Sequence, residues 1–161
     1  MKIAIDINDT YSYCPEFFNS IIKSKDNEIF FITGMISSEV KTAEKLLSDN
    51  GVERSDYVKI LSGFTFKPRP KDSPIEHFKL MRKYKLMQLK CNNIDVYFDD
   101  NPFYVDYIRE RSDITVFQTI LSKKRLKESE TEIDFDFNFQ RHQIKYLDQI
   151  DEAGALRDSE G

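Results

Sequence analysis

Five short apolar runs punctuate the first 120 residues, and they constrain the fold more than anything else in the chain: Ile3–Ile5, Ile29–Ile32, Val58–Leu61, Val96–Phe98 and Ile114–Phe117. Each is about the length of a strand buried on both faces and is rich in β-branched or aromatic residues. Between them, apolar residues return at helical spacing: Phe17, Phe18, Ile21 and Ile22; Val40, Ala43, Leu46 and Leu47; Leu80, Tyr84 and Met87 with Phe78 and Met81 beside them; and Phe103 to Ile108. Ser37-Ser38-Glu39 reads as a capped helix start, and Asn50-Gly51 as a helix stop. Parallel strands need such helical crossovers, and right-handed crossovers put helices on both faces of the sheet. The expected fold is therefore α/β: a doubly wound, mainly parallel, Rossmann-like sheet of about five strands.

This core is expected over residues 1–120, with residues 121–161 forming a C-terminal extension. There Ile133, Phe135, Phe137 and Phe139 alternate with Asp134, Asp136 and Asn138, the period of a half-buried strand, and Ile144, Leu147 and Ile150 suggest a last helix before a polar, frayed end. The phenylalanine stripe reads as an edge strand packed on the core, with a homo-oligomer or partner interface as the alternative. With 40% hydrophobic residues the chain can build a sizeable core, and a net charge of −4 does not by itself imply a nucleic-acid or membrane partner. Two cysteines, Cys14 and Cys91, make neither a disulfide framework nor a zinc site. No run approaches the roughly 20 apolar residues of a membrane span. A soluble protein of the cytoplasm is expected.

Open parallel sheets bind ligands beyond the carboxyl ends of their strands. The residues there are strongly biased: Asp6-Ile7-Asn8-Asp9-Thr10 after the first run, Thr33-Gly34 after the second, Asp99-Asp100-Asn101 after the fourth. Converging carboxylates repel one another unless a cation joins them, and oxygen ligands of this kind suit Mg²⁺. Plainer roles exist for each: Asp6 as a turn or cap residue, Asp99-Asp100-Asn101-Pro102 as a helix start, Thr33 as a strand end without ligand. Between Lys67 and Lys90, eight basic residues (Lys67, Arg69, Lys71, Lys79, Arg82, Lys83, Lys85 and Lys90) face two acids, Asp72 and Glu76. The segment is a solvated helix face or an approach path for an anionic substrate, nucleic acid included. His77 and His142 lack metal-like spacing. The glycine-rich phosphate loops are absent, and a receiver-domain phosphoacceptor would follow the third strand, where Ser62-Gly63-Phe64 stands.

Taken together, these strand ends resemble the haloacid dehalogenase-like superfamily of phosphohydrolases, over about 95 residues. Ile3-Ala4-Ile5-Asp6-Ile7-Asn8-Asp9-Thr10 is similar to the family's first motif (hydrophobic run, Asp-x-Asp-Gly-Thr), Ile29 to Gly34 to its second, and Val96-Tyr97-Phe98-Asp99-Asp100, with Asp106 beyond, to its fourth. The third is only a lysine at or near a helix start: Lys71 before a helix beginning near Pro74, or Lys67. The resemblance implies a Mg²⁺-dependent phosphatase in which Asp6 attacks phosphorus, Asp6, the Asn8 carbonyl and Asp100, with Asp99 beside them, hold the metal, and Thr33 and Lys71 bind phosphoryl oxygens. Two departures stand out. The acid that protonates the leaving group and activates water in the family is Asn8 here, and an amide cannot do that work. The glycine that follows is replaced by Asp9. Motif spacing also leaves no room for a lid, which implies a small, lidless site open to large or extended phosphorylated substrates, or one closed by a neighbouring subunit or the tail.

Overall fold

The computed structural model describes residues 1–64 and 74–120, and in them the alternation of strand and helix is realised. Strands β1 (Lys2–Asp6), β2 (Glu28–Ile36), β3 (Lys59–Phe64), β4 (Val96–Asp99) and β5 (Thr115–Gln118) alternate with helices α1 (Pro15–Ile22), α2 (Val40–Asp49), α3 (Pro74–Cys91) and α4 (Pro102–Arg111). The sheet has the order β3-β2-β1-β4-β5 and every pairing is parallel. The chain winds outward from β1 through β2 to β3, then returns to β4 on the other side of β1. The reversal falls between β1 and β4, where a doubly wound sheet opens a crevice at its carboxyl edge.

Strand alternation divides the core into two layers. Ile3, Ile5, Ile29 and Phe31 join Phe18 and Ile22 of α1 and Ala43 and Leu47 of α2 on one face. Ala4, Phe30, Ile32 and Tyr97 join Phe78, Met81 and Leu89 of α3 and Phe103, Tyr104 and Ile108 of α4 on the other. Burial on both faces is why the inner strands read as unbroken apolar runs rather than as alternating ones.

Four local features differ from the sequence reading. β5 is not buried on both faces: it is an edge strand, and Phe117 is 52% exposed while stacking on Phe98. β2 does not stop at Thr33 but continues to Ile36, with its register against β3 shifting between those residues. The start of α2 has no side-chain cap: a single 3-10 turn over Ser37–Glu39 leads into it instead. The core stripe of α3 is Phe78, Met81 and Leu89, whereas Leu80 and Met87 are about half exposed, at 50% and 48%. The stop after α2 is as expected, with Gly51 in the left-handed region at φ +84°.

The C-terminal extension, with its Phe135–Phe139 stripe, lies outside the described residues, as do Lys67 and Lys71. No helix among the described residues is long and apolar enough to cross a membrane.

Phe31 is fully buried in the middle of β2, its ring set edge-on against Tyr11 at 5.5 Å and Tyr57 at 5.4 Å. Phe31→Ala removes this packing and leaves a cavity in the α1/α2 layer. It is expected to lower stability by about 3–5 kcal/mol, measured as a shift of the urea midpoint with an unchanged slope.

Candidate active site

The register of the two central strands brings the acids together. β1 pairs with β4 through Ile5↔Phe98, so Asp6 and Asp99, one step further on, leave the carboxyl edge side by side. The side each takes follows from alternation: Asp6 shares the face of Ala4 and Asp99 that of Tyr97, and both faces belong to the α3/α4 layer. Asp6, Asp99 and Asp100 are all buried.

Into this corner reaches a residue that the sequence offers only as one of the eight basic residues between Lys67 and Lys90. Lys85, in the body of α3, is 2% exposed, and its Nζ lies 2.9 Å from Asp6 Oδ1 and 2.7 Å from Asp99 Oδ2. The Tyr104 ring centroid is 4.5 Å from the same nitrogen. Burial alone would depress the Lys85 pKa, but the charges of Asp6 and Asp99 outweigh it and raise it, so the ammonium persists throughout the physiological range. Asp99 is bonded through both of its oxygens. Its Oδ2 also accepts from the Tyr97 hydroxyl, and its Oδ1 accepts from the Asn101 backbone N–H at 2.9 Å. Burial and then the negative charges of Asp99 and Asp6 push the Tyr97 phenol well above its ordinary pKa, which keeps it a donor.

A sequence signal for Lys85 exists in retrospect. It follows Met81 by four residues and precedes Leu89 by four, so it occupies a core position on the buried stripe of α3. Such a position is occupied by lysine only when a counter-charge awaits it.

The remaining candidates distribute as follows. Thr33 is buried on β2, one step past the level where Ile32 pairs with Asp6. Asn8 is exposed in the turn after β1. Asp9, where the resembled motif has glycine, adopts the left-handed conformation that glycine takes readily, at φ +58°, with its N–H given to Ser12 Oγ at 3.0 Å. Thr10 is buried and its hydroxyl donates to Asp100 Oδ1 at 3.4 Å. Asp106 lies in α4 and pairs with Arg109 at 3.6 Å.

The donor set suits a hard cation. Asp6, Asp99 and Asp100 each offer a carboxylate oxygen, and these oxygens lie within 4.8 Å of one another. A divalent ion bound by oxygen ligands would offset the negative charge of carboxylates gathered this closely.

No protein-family model matches the sequence, and no curated protein matches it either. Among solved structures, a chain from the Pnkp1/Rnl/Hen1 complex superposes with a TM-score of 0.53 at 14% identity, over 75% of this chain and 46% of that one. At that identity the likeness is one of fold. The present chain spans less than half the length of this neighbour.

Lys85→Met roughly keeps the length of the side chain but removes the ammonium that two buried carboxylates share. It is expected to destabilise the protein by about 3–5 kcal/mol. Thermal melts with and without Mg²⁺ provide the check: the ion should raise the melting temperature more in Lys85→Met than in the natural protein. An equal rise in both would place the ion away from these carboxylates.

Proposed function

We propose that the protein is a Mg²⁺-dependent phosphatase-type hydrolase similar to the haloacid dehalogenase-like family, acting on a phosphomonoester through an aspartyl-phosphate on Asp6. The observation that carries this reading is the bridge from Lys85 to Asp6 and Asp99, with Asp100 adjoining, at the reversal point of the sheet. A buried ammonium fixed to one carboxylate oxygen orients that carboxylate and offers positive charge to a phosphoryl group approaching it.

On this reading Asp6 and Asp100 hold Mg²⁺ together with the Asn8 main-chain carbonyl, and Asp99 adjoins them while anchoring Lys85. The ion, when bound, shields the incoming phosphate and spreads transition-state charge. Asp6 attacks phosphorus: a bond forms from a carboxylate oxygen to phosphorus, and the bond from phosphorus to the leaving oxygen breaks. Thr33 and Lys85 contact the phosphoryl oxygens, and Lys71 or Lys67 is a further candidate for the same work. The leaving oxygen takes its proton from solvent, because the Asn8 amide has none to give. Water then splits the aspartyl-phosphate, releasing phosphate and restoring Asp6, again without a base at position 8.

Residues 1–120 are the catalytic core in this proposal and 121–161 an extension to it. Between β1 and β2 stand only a 3-10 turn and α1, and between β2 and β3 only α2 with two 3-10 turns. With no inserted domain at these two crossovers, the proposed substrate is a large phosphorylated one, nucleic acid included. A second reading, a phosphate- or partner-binding regulatory or assembly protein that has lost turnover, is favoured by Asn8. The neighbour's place in a complex is in keeping with it.

Single-turnover labelling with an acyl phosphate separates the two. A phosphoenzyme should form in the natural protein, be absent in Asp6→Asn, and decay about 10²–10⁴-fold faster in Asn8→Asp, which restores the acid. Equal labelling of Asp6→Asn would exclude Asp6 as the nucleophile, and no labelling of any variant would favour the binding protein.

Calorimetry tests the metal separately. Mg²⁺ uptake should weaken strongly in Asp100→Ala, and uptake unaffected by that change would move the ion elsewhere.

A further inference from the structure

Directly after the acid pair comes Asn101, a residue given no role so far, and its side chain is almost completely enclosed, at 1% exposure. Its Oδ1 accepts the Phe103 backbone N–H at 2.9 Å and so caps α4. That bond settles which way the amide is turned: a cap requires an acceptor, so the NH₂ group occupies the other branch. This Nδ2 is buried and has no hydrogen-bond partner among the described residues. Buried amide donors in folded proteins are nearly always satisfied, by protein, water or ligand.

The surroundings sharpen the point. The other donors at this corner are already engaged: the Asn101 N–H by Asp99 Oδ1, and the Tyr104 and Val105 N–H groups by the Asn101 carbonyl, at 3.1 and 3.0 Å. Pro102 has no N–H to give. Nδ2 also bonds to none of the three carboxylates at the neighbouring strand ends. As a donor it cannot ligate a cation, so its missing partner is an acceptor. The positive end of α4, on which it sits, favours one that carries negative charge.

We propose that Asn101 Nδ2 is a substrate-contacting donor, given to a phosphoryl oxygen of the ligand held at the Asp6/Asp100 site. This rests on the phosphoryl reading above and adds to it a contact from β4's own end, beside Thr33 from β2 and Lys85 from α3. The carboxylates repel an anion until a cation offsets them, so the contact forms with Mg²⁺ present.

The test is calorimetric titration of inorganic phosphate into the full chain with saturating Mg²⁺, comparing the natural protein with Asn101→Ser and Asn101→Asp. Both replacements keep an oxygen to cap α4. Serine removes the amide donor, and aspartate replaces it with a charge repellent to phosphate. Phosphate affinity should fall roughly 10- to 100-fold in Asn101→Ser, the loss of one hydrogen bond to a charged group, and further in Asn101→Asp. Mg²⁺ affinity of Asn101→Ser, measured without phosphate, and its melting temperature should stay at natural values.

Unchanged phosphate affinity in Asn101→Ser overturns the proposal. So does a parallel loss of Mg²⁺ affinity, which would assign the amide to a metal-bound water, or a natural protein that takes up no phosphate. If Asn101→Ser does not fold, the isosteric Asn101→Asp alone decides: phosphate binding retained there overturns the proposal. The phosphoenzyme experiment stands apart from these outcomes. Labelling at Asp6 with unchanged phosphate binding in Asn101→Ser would sink this inference and leave the phosphatase reading intact. Phosphate binding that depends on Asn101, without labelling, would do the reverse.

Discussion

The ion pair between Lys85 and the two strand-end carboxylates, Asp6 and Asp99, is the constraint on which the rest of the structure depends. It ties β1 to α3 and to β4, the strand that follows α3, and it does so in a buried corner where an uncompensated charge of either sign costs several kcal/mol. A pair in such a place is weak evidence for stability taken alone, since apolar side chains of the same volume would serve as well or better. A charged side chain on the same helix face as Phe78, Met81 and Leu89 is what the proposed chemistry would call for. The same pair explains why α3 must lie where it does. Only one rotation of the helix about its axis delivers the ammonium to the acids, and that rotation turns Leu80 and Met87 outward.

How much of this was legible in the sequence follows from what each residue type can signal. The inner strands announced themselves because a parallel strand covered on both faces is apolar without interruption, as Ile3–Ile5 and Ile29–Ile32 are. The acids were legible because they stand immediately after such runs, where an open sheet binds its ligands. Asn101 drew attention only as part of a helix start, since a cap and a buried donor look alike in one letter. Lys85 was hidden for a related reason. A lysine in a basic stretch reads as solvated surface, and Leu80, Tyr84 and Met87 supply a competing apolar stripe at acceptable helical spacing. β5 has the composition of an inner strand yet lies at the edge, because edge position depends on topology rather than on propensity.

The turn after β1 shows another kind of compromise. Asp9 occupies a left-handed position that suits glycine better, yet the conformation is kept and its N–H is tied to Ser12. Asp9 thus takes a backbone conformation common for glycine, and Asn8 before it presents an amide where the resembled motif has an acid. In the proposed chemistry, main-chain geometry and side-chain chemistry are separate requirements at this turn. A carbonyl ligand needs only the first, and proton transfer needs the second.

The strand order carries a consequence for how the chain reaches this state during synthesis. β1 is made first, lies at the centre of the finished sheet, and pairs on one side with β2, its near neighbour in sequence. Its other edge pairs with β4 and stays open until the chain has grown past Asp99. Throughout that interval an apolar strand ending in a carboxylate has neither its second neighbour nor its counter-ion, because Lys85 emerges only shortly before. Domains of this connectivity mature late and expose unpaired edges while they wait. The nascent chain is thus open to wrong partners along the edge of β1 that β4 later covers.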